Sequence, residues 1–153
     1  MIPAVGSGGY LPTGIHPATW AEFEVRYGRS TARRRQLLGG LHSASGELHA
    51  AGCPRVFVGG SYVTNKANPN DVDCCFDYAH DLDWPRLAAA DLLSTGDECA
   101  AQRARYGGEF HFANMAIGMF GPLQEPMTFL EFYQRNADGE SIGIIALNLG
   151  SLR

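Results

Sequence analysis

Two acidic residues that alternate along a predicted strand are the side chains best placed to do chemistry in this chain. Asp71 and Asp73 open an apolar stretch that runs to Phe76. Residues i and i+2 of a strand face the same side, so both carboxylates are expected to point in one direction. Carboxylates held side by side repel each other unless a cation lies between them. The spacing therefore predicts a site for a hard divalent cation such as Mg²⁺.

A glycine turn precedes the acids. The predicted strand Arg55 to Gly59 runs into Gly60-Ser61, where glycine permits backbone angles that are closed to other residues. Ser61 offers a hydroxyl and a backbone N–H to an anion, and a helical turn starting there would add its positive end. Lys66, the only lysine in the chain, follows in the loop and could reach phosphate oxygens. These residues predict a triphosphate-binding turn.

Together the turn and the acids resemble the signature of the polymerase-beta-like nucleotidyltransferase superfamily. That signature is a glycine-serine pair after a strand, a loop of about nine or ten residues, and Asp-x-Asp on the next strand. Here the pair is Gly60-Ser61 and the acids are Asp71 and Asp73. The sequence of residues 59–73 is similar to that of a small bacterial branch of the superfamily. Residues 11–20 and residues 132–145 are similar to it as well. The resemblance covers most of the chain.

The resemblance implies a Mg²⁺-dependent enzyme that moves a nucleoside monophosphate from a nucleoside triphosphate to an acceptor. Asp71 and Asp73 would hold the Mg²⁺, or Mn²⁺ in its place, and act as catalytic residues. Superfamily enzymes use a third carboxylate from a neighbouring strand, and Glu109 is its candidate as a catalytic and metal-binding residue. An edge-strand glutamate that faces water is the alternative. Gly60, Ser61 and Lys66 would bind the nucleotide.

The resemblance leaves the acceptor open. Small members of the superfamily include toxins that modify the 3′ end of tRNA, antitoxins that attach AMP to a protein partner, and enzymes that tag aminoglycosides. We predict no separate substrate domain, which favours a macromolecular acceptor, tRNA or a protein, and a toxin–antitoxin or defence component with a cognate toxin or antitoxin partner. The alternatives are a catalytically weak nucleotidyltransferase-like module that binds a nucleotide or a partner, and a purely structural α/β domain.

An arginine run offers a place for such an acceptor. Arg33, Arg34 and Arg35 lie in the first turns of a predicted helix, where the helix dipole disfavours positive charge. Their placement suggests an anionic partner. The alternative is a solvent-exposed face on which the arginines pair with carboxylates of the same chain.

The elements that must position these residues predict an α/β (α+β) fold with a small mixed sheet flanked by helices. We expect one domain over residues 1–153, with an extended arm over 1–16, helices over 17–52 and the catalytic sheet core over 53–153. In the first half of the chain we expect a helix from Thr19 to Gly28 and a second helix that is capped by Ser30, runs to Ala51 and is weakened at Gly39-Gly40. Further helices are expected to begin at Asp81–Pro85 and to cover 98–105 and 126–135. Strands are expected over 109–112 and 142–149, a loop over 118–124 and a turn over 136–139.

Composition narrows the class of protein. The net charge of −4 and pI of about 5.7 do not favour a general nucleic-acid-binding surface, so any such contact must be local. The four cysteines, Cys53, Cys74, Cys75 and Cys99, have no zinc-binding spacing, which favours buried reduced thiols. Apolar runs are too short to span a bilayer and the N-terminus lacks a signal pattern, so a cytoplasmic protein without membrane contact is expected.

Overall fold

The computed structural model describes residues 1–93 and 99–153, and it confirms the predicted α+β class. Seven strands are found in the described residues: β1 Gly14–Ala18, β2 Arg55–Gly59, β3 Val72–Phe76, β4 Gly108–Phe112, β5 Ala116–Phe120, β6 Glu125–Thr128 and β7 Gly143–Asn148. Five α-helices accompany them: α1 Trp20–Phe23, α2 Ala32–Ala50, α3 Trp84–Ala89, α4 Cys99–Tyr106 and α5 Phe129–Tyr133. The mixed sheet is flanked by helices.

Five strands form one mixed sheet in the order β1-β7-β2-β3-β4. The pairs β1–β7 and β3–β4 are parallel, whereas β2 is antiparallel to both β3 and β7. Strand β1 lies where the sequence analysis placed the end of an extended arm. Its five residues include Pro17 and show no apolar alternation, and proline is tolerated on an edge strand such as this one.

Each face of the sheet is covered by a separate core. The larger core combines strand residues such as Val58, Cys74 and Leu147 with the buried sides of α1, α2 and α3. The smaller core joins Phe57, Cys75 and Ile144 to Tyr133 of α5. All four cysteines are buried and none forms a disulfide, as expected, and adjacent Cys74 and Cys75 point to opposite faces.

The N-terminal helices follow the predicted caps with one difference. Thr19 forms the expected capping box with Glu22, and α1 continues as a π-helical turn over Glu24–Gly28. Thr31, not Ser30, caps α2 and accepts a hydrogen bond from the backbone N–H of Arg34. Gly52 follows the helix with a φ of 97°, as a C-terminal stop requires.

The glycine pair of α2 does not break the helix, which continues from Ala32 to Ala50. The backbone carbonyl of Tyr106, at the end of α4, lies directly against Gly40, and a Cβ there would overlap it. Gly39 has open space beside it. Gly40 is therefore a point of close helix packing.

The C-terminal third departs most from expectation. The segment expected to be a loop over 118–124 belongs to the hairpin β5–β6, and the helix expected from Pro126 begins only at Phe129. Thr128 caps that helix, and Pro126 lies within β6. The turn at 136–139 and the last strand are confirmed, within a residue or two. The predicted helix start at Glu98 lies outside the described residues. No described helix is long and apolar enough to cross a bilayer.

Candidate functional site

The candidate site lies where three neighbouring strands bring predicted residues side by side. Gly59 of β2 is paired with Asp73 of β3, and Asp73 is paired with Glu109 of β4. Directly paired residues point to the same face of a sheet. Asp73 and Glu109 therefore share the face that carries the smaller core, and Asp71 lies immediately before β3.

Asp73 is the carboxylate most affected by this arrangement. Burial, and to a smaller extent the negative charges of Asp71 and Glu109, raise its pKa to about 7. Asp71 and Glu109 are thus close enough to Asp73 to oppose its ionisation. An acid that titrates near neutrality has both its protonated and its charged form available at physiological pH.

Glu109 has two neighbours that the sequence analysis did not assign to the site. Arg103 of α4 forms an ion pair with its Oε1 atom. His111 Nε2 lies 3.6 Å from its Oε2 atom, and burial lowers the pKa of this histidine. Among the described residues, Cys99, Glu109 and His111 form the one group of three metal-binding side chain types whose ligand atoms all lie within 4.8 Å of one another. The three predicted acids do not form so tight a group.

The glycine turn has the conformation that its sequence indicates. Gly60 has a φ of 65°, and a short 3₁₀ turn covers Gly60–Val63, as expected for a helical turn at this point. The carbonyl of Ser61 accepts hydrogen bonds from the Thr64 hydroxyl at 2.7 Å and from the Thr64 N–H at 3.3 Å. These bonds fix the turn beside Asp73, and the half-buried Ser61 side chain borders open space.

Arg34 holds the loop that joins the turn to the acids. Its guanidinium is buried, with a residue exposure of 3%, and lies over the ring of Tyr62 with its Cζ atom 5.0 Å from the ring centroid. It donates hydrogen bonds to the backbone carbonyls of Tyr62 at 2.7 Å, Thr64 at 3.0 Å and Lys66 at 2.6 Å. A buried charge needs such partners, and here they are all main-chain oxygens of the loop or of Tyr27.

Two more residues near the start of α2, Thr31 and Arg33, also donate hydrogen bonds to the backbone of the loop. The Thr31 hydroxyl donates to the Ala67 carbonyl at 3.0 Å, and Arg33 donates to the carbonyls of Pro69 and Asn70. We name Thr31, Arg33 and Arg34 the loop clamp. The expectation that the arginine run faces an anionic partner is wrong for Arg34, because that side chain is buried and faces carbonyls; the alternative of carboxylate pairs does not describe it either.

An open cleft of about 740 Å³ lies in front of the turn. Gly60, Ser61, Lys66, Asp73 and Glu109 line it, so five of the six predicted site residues share one cavity. Asp71 is not among the residues lining it. The Lys66 side chain is exposed, while its backbone carbonyl accepts from Arg34.

Sequence reasoning missed the aromatic residues that line the cleft. They include Tyr10 from the N-terminal segment and Phe132 and Tyr133 from α5. Tyr10 and Phe132 are 38% and 44% exposed, although aromatic side chains of this size are usually more buried. The N-terminal segment is fixed there because the Gly9 carbonyl accepts a 3.2 Å hydrogen bond from the N–H of Asn65. No sequence pattern links Tyr10 to Phe132 and Tyr133, which lie more than a hundred positions further along the chain.

The chain belongs to the family described as Family of unknown function (DUF6932), whose model matches residues 3–148. No curated protein and no solved structure matches the chain.

Proposed function

We propose that this member of the DUF6932 family is a Mg²⁺-dependent nucleotidyltransferase that moves a nucleoside monophosphate from a nucleoside triphosphate to a hydroxyl of a macromolecule. One observation carries the proposal. The glycine turn, Asp73 and Glu109 come from three adjacent strands in direct register, and burial together with the charges of Asp71 and Glu109 holds the pKa of Asp73 near 7. An acid cluster beside a glycine-serine turn is the arrangement that the sequence signature predicts.

The chemistry of the donor set supports a hard cation. Asp73 lines the cleft, and Asp71 precedes Asp73 by two residues on the same face. Burial first and the charges of Asp71 and Glu109 second raise the pKa of Asp73, and a bound Mg²⁺ would stabilise its charged form against both. Mg²⁺, when bound, supplies charge stabilisation for the attacking and leaving oxygens of an in-line displacement. We assign Asp71 and Asp73 as its ligands and Glu109 as the third acid.

The cleft is large enough to hold a nucleotide. The hydroxyl of Ser61 and the exposed ammonium group of Lys66 line it and suit phosphate oxygens. Tyr10 and Phe132 also line it, and their partly exposed rings suit stacking on a base. Stacking accepts any base, so these rings predict little selectivity among the four nucleotides.

In the proposed reaction an acceptor hydroxyl attacks the α-phosphorus atom. The bond from acceptor oxygen to phosphorus forms as the bond between phosphorus and the bridging oxygen of pyrophosphate breaks, and pyrophosphate leaves with that electron pair. The hydroxyl proton passes to a carboxylate, for which Glu109 is the assigned group, and then to water. The acceptor is a tRNA 3′ end or a protein hydroxyl, within a toxin–antitoxin or defence system.

A second candidate is a module that binds nucleotide without transferring it. The ion pair between Arg103 and Glu109 favours it, because a carboxylate that is already neutralised by an arginine is a weaker ligand and a weaker base. In this case Mg²⁺ and the triphosphate bind at Asp71 and Asp73, but no label is transferred.

Binding and transfer are tested separately. Isothermal titration with Mg²⁺ and ATP is expected to detect binding to the wild type and to lose it in the double variant Asp71→Asn/Asp73→Asn. Asp77→Asn is the matched control, since Asp77 lies just beyond the same strand and pairs with Arg55 at 2.7 Å on the surface. Absence of Mg²⁺-dependent binding by the wild type, or equal binding by the double variant, would contradict the proposal.

Transfer is then followed with each labelled nucleoside triphosphate, using total tRNA and a protein extract as acceptors. The enzyme proposal expects label in one acceptor fraction and none with the double variant. Binding without label in either fraction favours the second candidate. Inorganic triphosphate distinguishes the phosphate-binding residues from the aromatic ones: Tyr10→Ala and Phe132→Ala should weaken binding of ATP but leave binding of triphosphate unchanged.

A further inference from the structure

We propose that Cys99, Glu109 and His111 form a second cation site, one that takes a thiophilic divalent ion such as Zn²⁺. Their ligand atoms lie within 4.8 Å of one another. Glu109 and His111 are two residues apart on β4 and so share a face, while Cys99 is the first residue of α4. One sulfur, one nitrogen and one oxygen donor form a set that suits Zn²⁺ and does not suit Mg²⁺.

His111 is held in a fixed orientation with hydrogen-bonding capacity unused. It is only 8% exposed, and its ring stacks on Phe129 with centroids 3.9 Å apart and an interplanar angle of 5°. Its Nδ1 atom is buried and has no hydrogen-bond partner among the described residues. Because the two ring nitrogens point in different directions, an ion at Nε2 would leave Nδ1 unpaired. The support from His111 is therefore the fixed orientation of its ring, which directs Nε2 toward Glu109.

The separation of His111 from Glu109 also fits an ion. Nε2 lies 3.6 Å from Oε2, which is too long for a good hydrogen bond. Zinc binds histidine nitrogen and carboxylate oxygen at about 2.0–2.2 Å, so tetrahedral ligands lie roughly 3.3–3.5 Å apart. Arg103 is bonded to the other oxygen, Oε1, so the ion pair and an ion at Oε2 are compatible.

Three protein ligands would leave one position of a tetrahedral ion for water, as in sites that are not purely structural. Binding requires the thiolate of Cys99, so the thiol proton is released to solvent when the ion binds. Glu109 belongs to both sites. If the proposed transferase activity exists, Zn²⁺ would withdraw Glu109 from the acids and inhibit transfer; this consequence rests on the proposed function, but the cation site itself does not.

Cobalt titration of the whole chain tests the site without any nucleotide. Co²⁺ bound by a cysteine gives thiolate-to-metal charge-transfer absorption, and added Zn²⁺ should abolish it. The absorption is expected in the wild type and in the control Cys53→Ser, which alters another buried thiol that donates to the Arg55 carbonyl. It should be lost in Cys99→Ser. Absence of the band in the wild type, or its persistence in Cys99→Ser, would overturn the proposal.

A second variant keeps the test informative where Cys99→Ser fails to fold. Glu109→Gln alters a partly exposed side chain and should lower Zn²⁺ affinity at least about tenfold. Unchanged affinity would also overturn the site. The double variant Asp71→Asn/Asp73→Asn should retain the cobalt absorption, so loss of nucleotide binding and loss of the second cation site are distinguished.

Discussion

The carboxylate of Asp73 lies directly against the α-carbon of Gly60, so that a Cβ on Gly60 would overlap Asp73 Oδ2. The turn and the acid therefore occupy one compact unit, in which the absence of a side chain at residue 60 makes room for the carboxylate. The φ of 65° at the same residue gives glycine a second, conformational advantage there. Neither residue can be changed without consequences for the other.

Gly60→Ala should displace the Asp73 carboxylate and strain the backbone. We expect the free energy of unfolding to fall by about 1–3 kcal/mol and the affinity for Mg²⁺ and ATP to fall at least tenfold, as measured by denaturation and by titration. Gly46→Ala is the matched control, because Gly46 lies in α2 with open space beside it and alanine favours a helix. Wild-type affinity in Gly60→Ala would show that the carboxylate position is not important for binding.

The raised pKa of Asp73 predicts how stability depends on pH. Between the ordinary pKa of 3.8 and the folded value of about 7, the folded chain keeps a proton that the unfolded chain loses. This contribution to the free energy of unfolding is therefore fully present below pH 3.8 and is lost as pH rises through 7. Asp73→Asn should be more stable than the metal-free wild type at pH 8 by up to about 4 kcal/mol, since each unit of pKa shift is worth about 1.4 kcal/mol.

The measurement is the difference in the free energy of unfolding between wild type and Asp73→Asn from pH 4 to pH 8, with Asp77→Asn for comparison. The difference should grow with pH for Asp73→Asn alone. Mg²⁺ should bind more weakly below pH 7, since protons compete for the same carboxylate. A difference that is constant with pH would exclude a perturbed acid at residue 73.

Arg34→Met should loosen the loop between the turn and the acids. The variant leaves the carbonyls of Tyr62, Thr64 and Lys66 without their donor, which should lower the free energy of unfolding by about 3–5 kcal/mol. Hydrogen exchange of residues 62–67 should increase. Arg35→Met is the control, because the exposed Arg35 side chain donates to the Arg29 carbonyl alone among residues 1–93 and 99–153 and should change stability by less than about 1 kcal/mol. Equal effects of the two variants would contradict the clamp.

Adjacent glycines of α2 should respond in opposite ways. Gly40→Ala would force a Cβ into the Tyr106 carbonyl and should destabilise the chain by about 1–3 kcal/mol, since α4 must shift away from α2. Gly39→Ala meets open space and should stabilise it by about 0.5–1 kcal/mol through helix propensity. Thermal unfolding of both variants decides the matter. A loss of stability in Gly39→Ala would mean that its effect is not set by local packing.

Sequence patterns predicted the centre of the fold well. The strand at Arg55–Gly59, the following turn and the strand that carries Asp73 are strongly patterned, because an apolar run beside paired glycines has few alternative conformations. The placement of Glu109 next to Asp73 was a weaker inference. It required a parallel pairing between strands whose connection includes α3 and α4, and only the sheet register supplies that.

Other parts of the fold and of the cleft could not be predicted, because they depend on contacts between segments that are distant in the sequence. Strand β1 has little strand pattern of its own and exists through its pairing with β7. The arginine run looked like a surface feature, since a charge pattern does not reveal that buried carbonyls will meet it. Tyr10 and Phe132 both line the cleft, and no local sequence pattern connects them.

The loop clamp has a consequence for how this chain can diversify. Thr31, Arg33 and Arg34 recognise the loop through its carbonyl oxygens, which every amino acid possesses. The backbone conformation of the loop therefore does not depend on which side chains are present at residues 65–68. Natural variation or a randomised library at these positions can remodel the rim of the cleft, and hence the choice of ligand, while the main-chain scaffold beneath it is inherited intact.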